Sequence, residues 1–349
     1  MGDVMKKLLL IGFVVLLLTG CKDNDNVVRK VEVEFGSDYY QVAAPYKPSI
    51  SGNYVVHNVL NNYDVNDIEN AFMMLSTNHF KTINSLYQEG QYLKRGELKE
   101  LLSRDNLNKE KEITVNGVKI NPTYLSSIYE QNYLTNNGNL KGLTIGLIFN
   151  PYQAYLTKYD SYDYEEVDLD TLEPIIIAKA NEIVKYIRTK PALQKIKIVV
   201  GIYLQNHPNT MLPGGIRYFG VTNKDSVELN KVNYQHQYLN SDYVLKHDIN
   251  IYNAFTNLEK QLKKVKDTIN ISARGLYYNN KIQNIEMTVY SGTFNNGELL
   301  YLSEIISEEM VNFDNQLNIR VIVKSNEKVA AFINKESNNL KSNVYILGG

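Results

Sequence analysis

Residues 143–149, Leu143-Thr144-Ile145-Gly146-Leu147-Ile148-Phe149, are apolar at nearly every position, which predicts a strand buried on both faces. A helical period follows over 170–189. Its stripe is Ile176, Ala180, Ile183, Val184 and Ile187, with an acidic N-cap candidate at Asp170, Pro174 in the first turn and a stop at Pro191. Alternation returns at Ile196, Ile198, Val200, Ile202 and Leu204, and a further strand is expected near 215–222. The same order recurs later in the chain. Ile285-Glu286-Met287-Thr288-Val289-Tyr290 alternates, a helix over 297–315 carries Leu302, Ile305, Ile306, Met310 and Phe313, and Leu317, Ile319, Val321 and Val323 form the next strand, with another near 327–334.

An amphipathic helix precedes each copy. The earlier, over 66–80, places Ile68, Ala71, Phe72 and Leu75 at i, i+3, i+4 and i+7; the later, over 248–267, carries Ile251, Phe255, Leu258, Leu262 and Val265. Both contain Asn-Ala-Phe, at 70–72 and 253–255. The expected fold class is α+β: two tandem related repeats, each a small, mostly antiparallel sheet with helices packed on one face. The first repeat, with insertions, is assigned to 37–222, a connecting segment to 223–247 and the second repeat to 248–349. Pro208, Pro213, Gly214 and Gly215 make part of the junction a loop.

Working outward to the N-terminus, residues 1–20 read as a signal peptide, with Lys6 and Lys7 before an apolar run from Leu8 to Leu18 that only Gly12 interrupts. That run is too short to cross a hydrocarbon layer requiring about twenty helical residues. Leu18-Thr19-Gly20-Cys21 follows the lipobox order of aliphatic, small or polar, small, then cysteine. Cys21 is the only cysteine in 349 residues, so an exported chain has no disulfide to make with it, and a thioether to lipid is the use expected of it. Residues 21–36 are then the lipidated cysteine and a polar tether. Cleavage leaves 35 basic and 37 acidic residues, a balance that gives no nucleic-acid footprint. The expected localisation is the cell membrane, held by lipid on the extracytoplasmic face, with the lipoprotein-processing enzymes as partners.

Four further blocks carry a resemblance. Tyr40-Gln41-Val42-Ala43-Ala44-Pro45-Tyr46-Lys47, the stretch from Leu86 to Leu93 (LYQEGQYL), that from Pro122 to Gln131 (PTYLSSIYEQ) and that from Lys141 to Leu147 (KGLTIGL) together resemble the CamS family of sex-pheromone precursor lipoproteins. The resemblance implies a tandem α+β fold and an activity residing in the discarded signal peptide, whose last apolar residues act as a mating pheromone. The matching window is Val14, Val15, Leu16, Leu17, Leu18, Thr19 and Gly20. Its Thr-Gly ending departs from the Ala or Ser on which pheromones of this group usually close.

Motifs for chemistry are sparse. The chain has no Gly-x-Ser-x-Gly elbow, His-Glu-x-x-His, Gly-x-Gly-x-x-Gly or Walker loop, so no catalytic residue, cofactor or enzyme activity is expected. His57, His79, His207, His236 and His247 are scattered, and no metal site is expected from them. The acidic run Asp160, Asp163, Glu165, Glu166, Asp168 and Asp170 lacks the turn glycine of a calcium loop and reads as a solvated loop capping the next helix. Interleaved Tyr155, Tyr159, Tyr162 and Tyr164 read first as packing against the body, with a recognition surface as the alternative, and the 206–215 loop reads as a connecting turn, with a functional loop as the alternative. Lys260, Lys263, Lys264 and Lys266 read as a solvated helix face. The second functional expectation is a small-molecule or peptide ligand held between the two repeats.

Overall fold

The computed structural model describes residues 39–347. In chain order its elements are β1 (Gln41–Val42), α1 (Gly52–Asn58), α2 (Asn62–Ser76), β2 (Leu86–Glu89), α3 (Arg95–Leu101), β3 (Ile113–Val115), β4 (Val118–Ile120), β5 (Leu125–Leu134), β6 (Leu140–Phe149), β7 (Tyr152–Leu156), β8 (Tyr162–Glu166) and α4 (Leu169–Arg188). There follow β9 (Lys197–Leu204), β10 (Gly215–Thr222), β11 (Asn230–Lys231), β12 (Tyr234–Tyr238), α5 (Asp242–His247), α6 (Ile249–Val265), β13 (Asn270–Tyr278), β14 (Lys281–Ser291), α7 (Asn296–Glu309), β15 (Asn318–Ser325), β16 (Lys328–Lys335) and β17 (Ser342–Ile346). The fold class is α+β, as the sequence predicts.

The stretch 143–149 lies in the middle of a seven-stranded sheet of order β1-β2-β5-β6-β9-β10-β11. β6 runs antiparallel to β5 and parallel to β9, with α4 crossing between the parallel pair. A six-stranded sheet, β12-β13-β14-β15-β16-β17, repeats that plan: β14 is antiparallel to β13 and parallel to β15, and α7 makes the crossing. All other pairings in this second sheet are antiparallel. Of residues 223–247, assigned to a connecting segment, β11 pairs with the first sheet, β12 pairs with the second, and α5 contributes Val244 to the second core.

Helix boundaries differ from the sequence pattern where caps decide them. Helix α4 is capped by Asp168, not Asp170: the Asp168 carboxylate accepts from the Thr171 N–H at 2.8 Å while its own backbone is extended. With the helix beginning at Leu169, Pro174 falls in the second turn. Helix α2 starts four residues earlier than its apolar stripe suggests, because Asn61 accepts from the Tyr63 N–H at 2.8 Å. Asn295 and Glu298 form a reciprocal capping box at α7, whose helix passes into a 3-10 turn at Met310–Asn312.

Helix placement departs from the expected single face. In the second sheet both α6 and α7 pack on one face, where Phe255, Leu258 and Leu262 meet Leu302, Ile306, Ile285, Met287, Ile319 and Val321. In the first sheet α4 covers the face carrying Leu143, Ile145, Leu147, Ile198, Val200 and Ile202, whereas α2 covers the opposite face. The alternation of β6 decides this. Gly142, Thr144 and Gly146 point to α2, and Gly146 with its partner Gly201 leaves the hollow that Phe72 fills; a Cβ on Gly146 would stand 2.1 Å from the Phe72 ring. The far side of α2 is covered in turn by the open face of the second sheet through Leu276 and Tyr278. The layers therefore run α4, first sheet, α2, second sheet, α6 with α7.

Candidate functional site

The four blocks that carry the family resemblance become four adjacent strands, β1, β2, β5 and β6, beneath α2. An aromatic cluster fills the space between them. Phe80 stacks on Tyr133 with centroids 4.5 Å apart, Tyr40 lies 5.1 Å from the same ring, and the Tyr40 hydroxyl donates to the Phe80 carbonyl. Two blocks are also tied through one carboxylate. Buried Glu130 accepts the N–H groups of Gln91, Tyr92 and Leu93, the last at 2.7 Å, so the turn after β2 closes around a side chain of β5.

A carboxyl pair borders the cluster. The Tyr87 hydroxyl donates to Glu69 Oε1 at 2.9 Å, and Gln131 Nε2 donates to the Glu69 carbonyl at 2.9 Å. Burial, then the neighbouring Glu69 charge, pushes the Glu89 carboxyl up to about 7. Two adjacent carboxyls are the starting arrangement of an acid–base pair. Here it is turned inward, with the Ser49 and Tyr129 hydroxyls holding Glu89, and what it does is join α2 to β2 and β5.

The seam between the sheets is polar and closed. Tyr203 of β9 places its hydroxyl 3.0 Å from Asp64 Oδ1 and 3.1 Å from Asp67 Oδ2. From the second sheet, the Tyr234 hydroxyl donates to Asp67 at 3.2 Å and His236 Nε2 lies 2.9 Å from the same oxygen. Asp64 also accepts the N–H groups of Asn206 and Gly214, while Asn61 Nδ2 donates to the carbonyls of His207 and Thr210 at 3.0 Å each. Burial pushes the Asp64 carboxyl up to about 7 against the pull of those donors. The 206–215 loop is therefore a turn pinned to α2. Gly215 sits so close to the Tyr234 carbonyl that a Cβ would come within 1.9 Å of it, which brings β10 and β12 backbone to backbone.

The remaining sequence candidates separate. Tyr155, Tyr162 and Tyr164 fall on a β7–β8 hairpin in place of the expected solvated loop, and Tyr152 and Tyr164 meet the His207 ring edge-on. Tyr159 and Tyr162 are exposed. Lys263 pairs with Glu259 one turn earlier, and Lys266 donates to the Thr293 carbonyl. Among the described residues no cluster of three or more His, Cys, Asp or Glu side chains is placed to hold a metal, and no helix is long and apolar enough to cross a membrane. Residues 14–21, with the lipobox and the pheromone window, and the tether up to residue 36 lie outside the described residues.

Two clefts open elsewhere. One, of about 320 Å3, lies beside the ion pair of Lys179 and Glu110; the other, of about 670 Å3, lies on the second sheet's helical side between α6 and the turn after α7. Asn61, Asp64, Asp67, Glu89, Glu130 and His236 are functional in the architectural sense, and their partners lie tens to more than a hundred residues away. Gly146 and Gly201, glycines inside two strands, mark the place where a helix side chain approaches the sheet closely, but only the β6–β9 register brings them together.

A search of the curated proteins gives no match. In structure, the chain is similar to the sex pheromone precursor of Lactobacillus salivarius subsp. salivarius UCC118, with a TM-score of 0.82 and 19% identity, over 91% of this chain and 98% of that one. It is also similar to the C-terminal domain of the sex pheromone staph-cAM373 precursor of Staphylococcus aureus, with a TM-score of 0.72 and 22% identity, over 84% of this chain and 99% of that one. Residues 46–341 match the family model described as CamS sex pheromone cAM373 precursor, a range that runs from before α1 to the end of the turn after β16, and the chain belongs to the CamS family.

Proposed function

We propose that the protein is an extracytoplasmic lipoprotein, non-enzymatic, cut before Cys21 and held to the cell membrane by lipid on that cysteine, and that its signal peptide is the source of a sex-pheromone-like peptide. The observation that carries this reading is Leu18-Thr19-Gly20-Cys21, with the sole cysteine of the chain directly after a short apolar run, in a member of a pheromone-precursor family. Two acyl chains of roughly thirty methylenes at ~0.8 kcal/mol each hold such a protein at the bilayer for good. Its partners on this reading are the enzymes that lipidate and cleave it.

The released segment Val14 to Gly20 is apolar, and trimming it yields a heptapeptide of the pheromone kind. Synthetic Val14–Gly20 peptide is expected to induce clumping of recipient cells carrying a pheromone-responsive plasmid. No response at micromolar peptide, alongside a positive response to a heptapeptide closing on Ala or Ser, would end the pheromone part of the reading and leave the anchoring part standing.

A second reading, a ligand or peptide bound between the repeats, competes with hydrogen bonds already made at the seam. There Asp64, Asp67, Tyr203, Tyr234 and His236 already bind one another.

A further inference from the structure

One border of the second sheet is left open in a way that folded chains usually avoid. Strand β17 ends that sheet on the side away from β12, and among the described residues no strand pairs with its outer edge. It pairs with β16 from Ser342 to Ile346 without a bulge and contains no proline and no charged residue. Val344, Tyr345, Ile346 and Leu347 are 41% to 61% exposed. Natural sheets shield such flat, apolar edges with lysine, proline, bulges or a covering segment, because an open edge pairs with any free strand. The open face of the sheet is bare at the same border. Ile322, Phe332 and Tyr345 stand in one row across β15, β16 and β17, with the last two rings stacked at 6.1 Å. The aromatic core around α2 draws its apolar strand residues of this sheet from β12 and β13 alone, as Tyr234, Leu276 and Tyr278.

The described residues begin at this border. Tyr39 is exposed, and its hydroxyl accepts from the Arg320 guanidinium at 3.1 Å, on the open face of β15 and two strands from the edge. Shortly before it in the sequence stands Val27-Val28-Arg29-Lys30-Val31-Glu32-Val33, followed by Glu34-Phe35-Gly36-Ser37-Asp38. Valine favours strands, and Val27, Val31 and Val33 share one side of an extended chain, with Lys30 and Glu32 on the other. A strand added outside β17 would lie three strand spacings from β15, about 14 Å. The six steps from Val33 to Tyr39 span up to about 20 Å, so the segment reaches.

We propose that residues 27–33 of this chain dock on the outer edge of β17 as a seventh strand of the second sheet, with Phe35 crossing the Phe332–Tyr345 pair on the way from Tyr39. The edge supplies backbone hydrogen bonds to the segment, the valines extend the exposed row of Val344 and Ile346, and the two rings give Phe35 apolar cover. A second copy of the chain could pair with the same edge, but it must arrive from solution. The segment is tethered at Tyr39, and a short link of this kind holds it near the edge at millimolar effective concentration. The pairing itself does not depend on lipid at Cys21. Combined with the anchoring proposed above, on which this consequence rests, it leaves Cys21 to Asn26 as the free tether and holds this border within about 20 Å of the bilayer.

Arg29 and Lys30 place two trypsin sites inside the segment, so its docking is read from their rate of cleavage in the full chain in detergent. Cleavage there is expected to be at least tenfold slower in the wild-type chain than in the double variant Val31→Asp, Val33→Asp. The edge-side substitution Val344→Asp, at an exposed position, is expected to speed it similarly. Deleting residues 27–35 is expected to raise hydrogen exchange of the β17 amides at least tenfold, and the same outcome is expected with Cys21→Ser, which separates the pairing from the anchoring. Cleavage as fast in the wild-type chain as in the variants would overturn the proposal, as would β17 exchange that the deletion leaves unchanged. If β17 stays protected in the deleted chain while light scattering gives twice the mass of one chain, the occupant is a second copy and the proposal fails.

Discussion

The two sheets share an order of pairing and differ in where a helix lies. Each has an antiparallel pair, a helical crossing to a parallel neighbour and an antiparallel return. Yet α6 joins the crossing helix on one face of its sheet, whereas α2 takes the opposite face of the other and serves as the layer between the sheets. The stripes of α2 and α6 are alike, down to Asn-Ala-Phe, so the helix does not choose the face. The sheet does. Gly142, Gly146 and Gly201 open a hollow beneath Phe72 and Phe80 on the first sheet, and neither β14 nor β15 has glycine at the corresponding centre. The second sheet then uses its open face to cover α2, with Asp67 as the shared acceptor for Tyr234 and His236.

This contrast is sharpened first at the hollow itself. Gly146→Val, which drives a side chain into the Phe72 ring, and Phe72→Ala, which empties the hollow, are each expected to destabilise by about 3–5 kcal/mol. Because α2 touches both sheets, Phe72→Ala is expected to raise hydrogen exchange in strands of both. Phe255→Ala, of like cost, is expected to raise it in the second sheet alone. Equal spreading from both substitutions would break the distinction between a shared and a private helix.

At the seam, Asp67→Ala strips Tyr203, Tyr234 and His236 of a common acceptor and is expected to cost about 2–4 kcal/mol in chemical denaturation. The pH dependence probes the neighbouring carboxyls. Asp64 and Glu89 are both raised to about 7 in the folded chain from 3.8 and 4.5, so between about pH 4 and 7 the folded state holds protons that the unfolded state has released. Unfolding therefore releases protons in that window, and stability is expected to fall as pH rises through it, by roughly 4 kcal/mol from Asp64 and by less from the more solvent-screened Glu89. Asp64→Asn is expected to flatten part of that slope. A slope unchanged by the substitution would place the burden on Glu89.

The smallest effect separates the crossing helices. Asp168→Ala removes a single N-cap acceptor from α4, and Asn295→Ala removes half of a capping box from α7; each is expected to cost about 1 kcal/mol, read from urea midpoints, with Asn295→Ala the larger.

What was legible in the sequence was periodicity. The buried run 143–149, the stripes of α4, α6 and α7 and the alternation after each crossing gave the α+β class and the order of elements. What periodicity does not carry is the face of the sheet on which a stripe lands, and here that information lay in Gly146 and Gly201, far apart in sequence and paired only in the fold. Strand β12 escaped notice because Tyr234 to Tyr238, Tyr-Gln-His-Gln-Tyr, has few aliphatic residues, and its apolar contacts are made by aromatic rings. The seam was invisible for a different reason: Asp67 and His236 are 169 residues apart, and nothing local marks either as a partner of the other.

The blocks by which the chain resembles its family turn out to be neighbours, joined by Glu130 and the Tyr133 cluster, so the resemblance tracks the architecture of the folded body. The proposed function rests on the other end of the chain, at Cys21. Metabolic labelling with radioactive palmitate, comparing the wild-type chain with Cys21→Ser, addresses it most directly. Label on the wild-type protein and none on the variant, with the variant released from the membrane fraction, is the expected result. Equal labelling of the two, or a wild-type protein that carries no label and stays in the soluble fraction, would contradict the lipid-anchored reading.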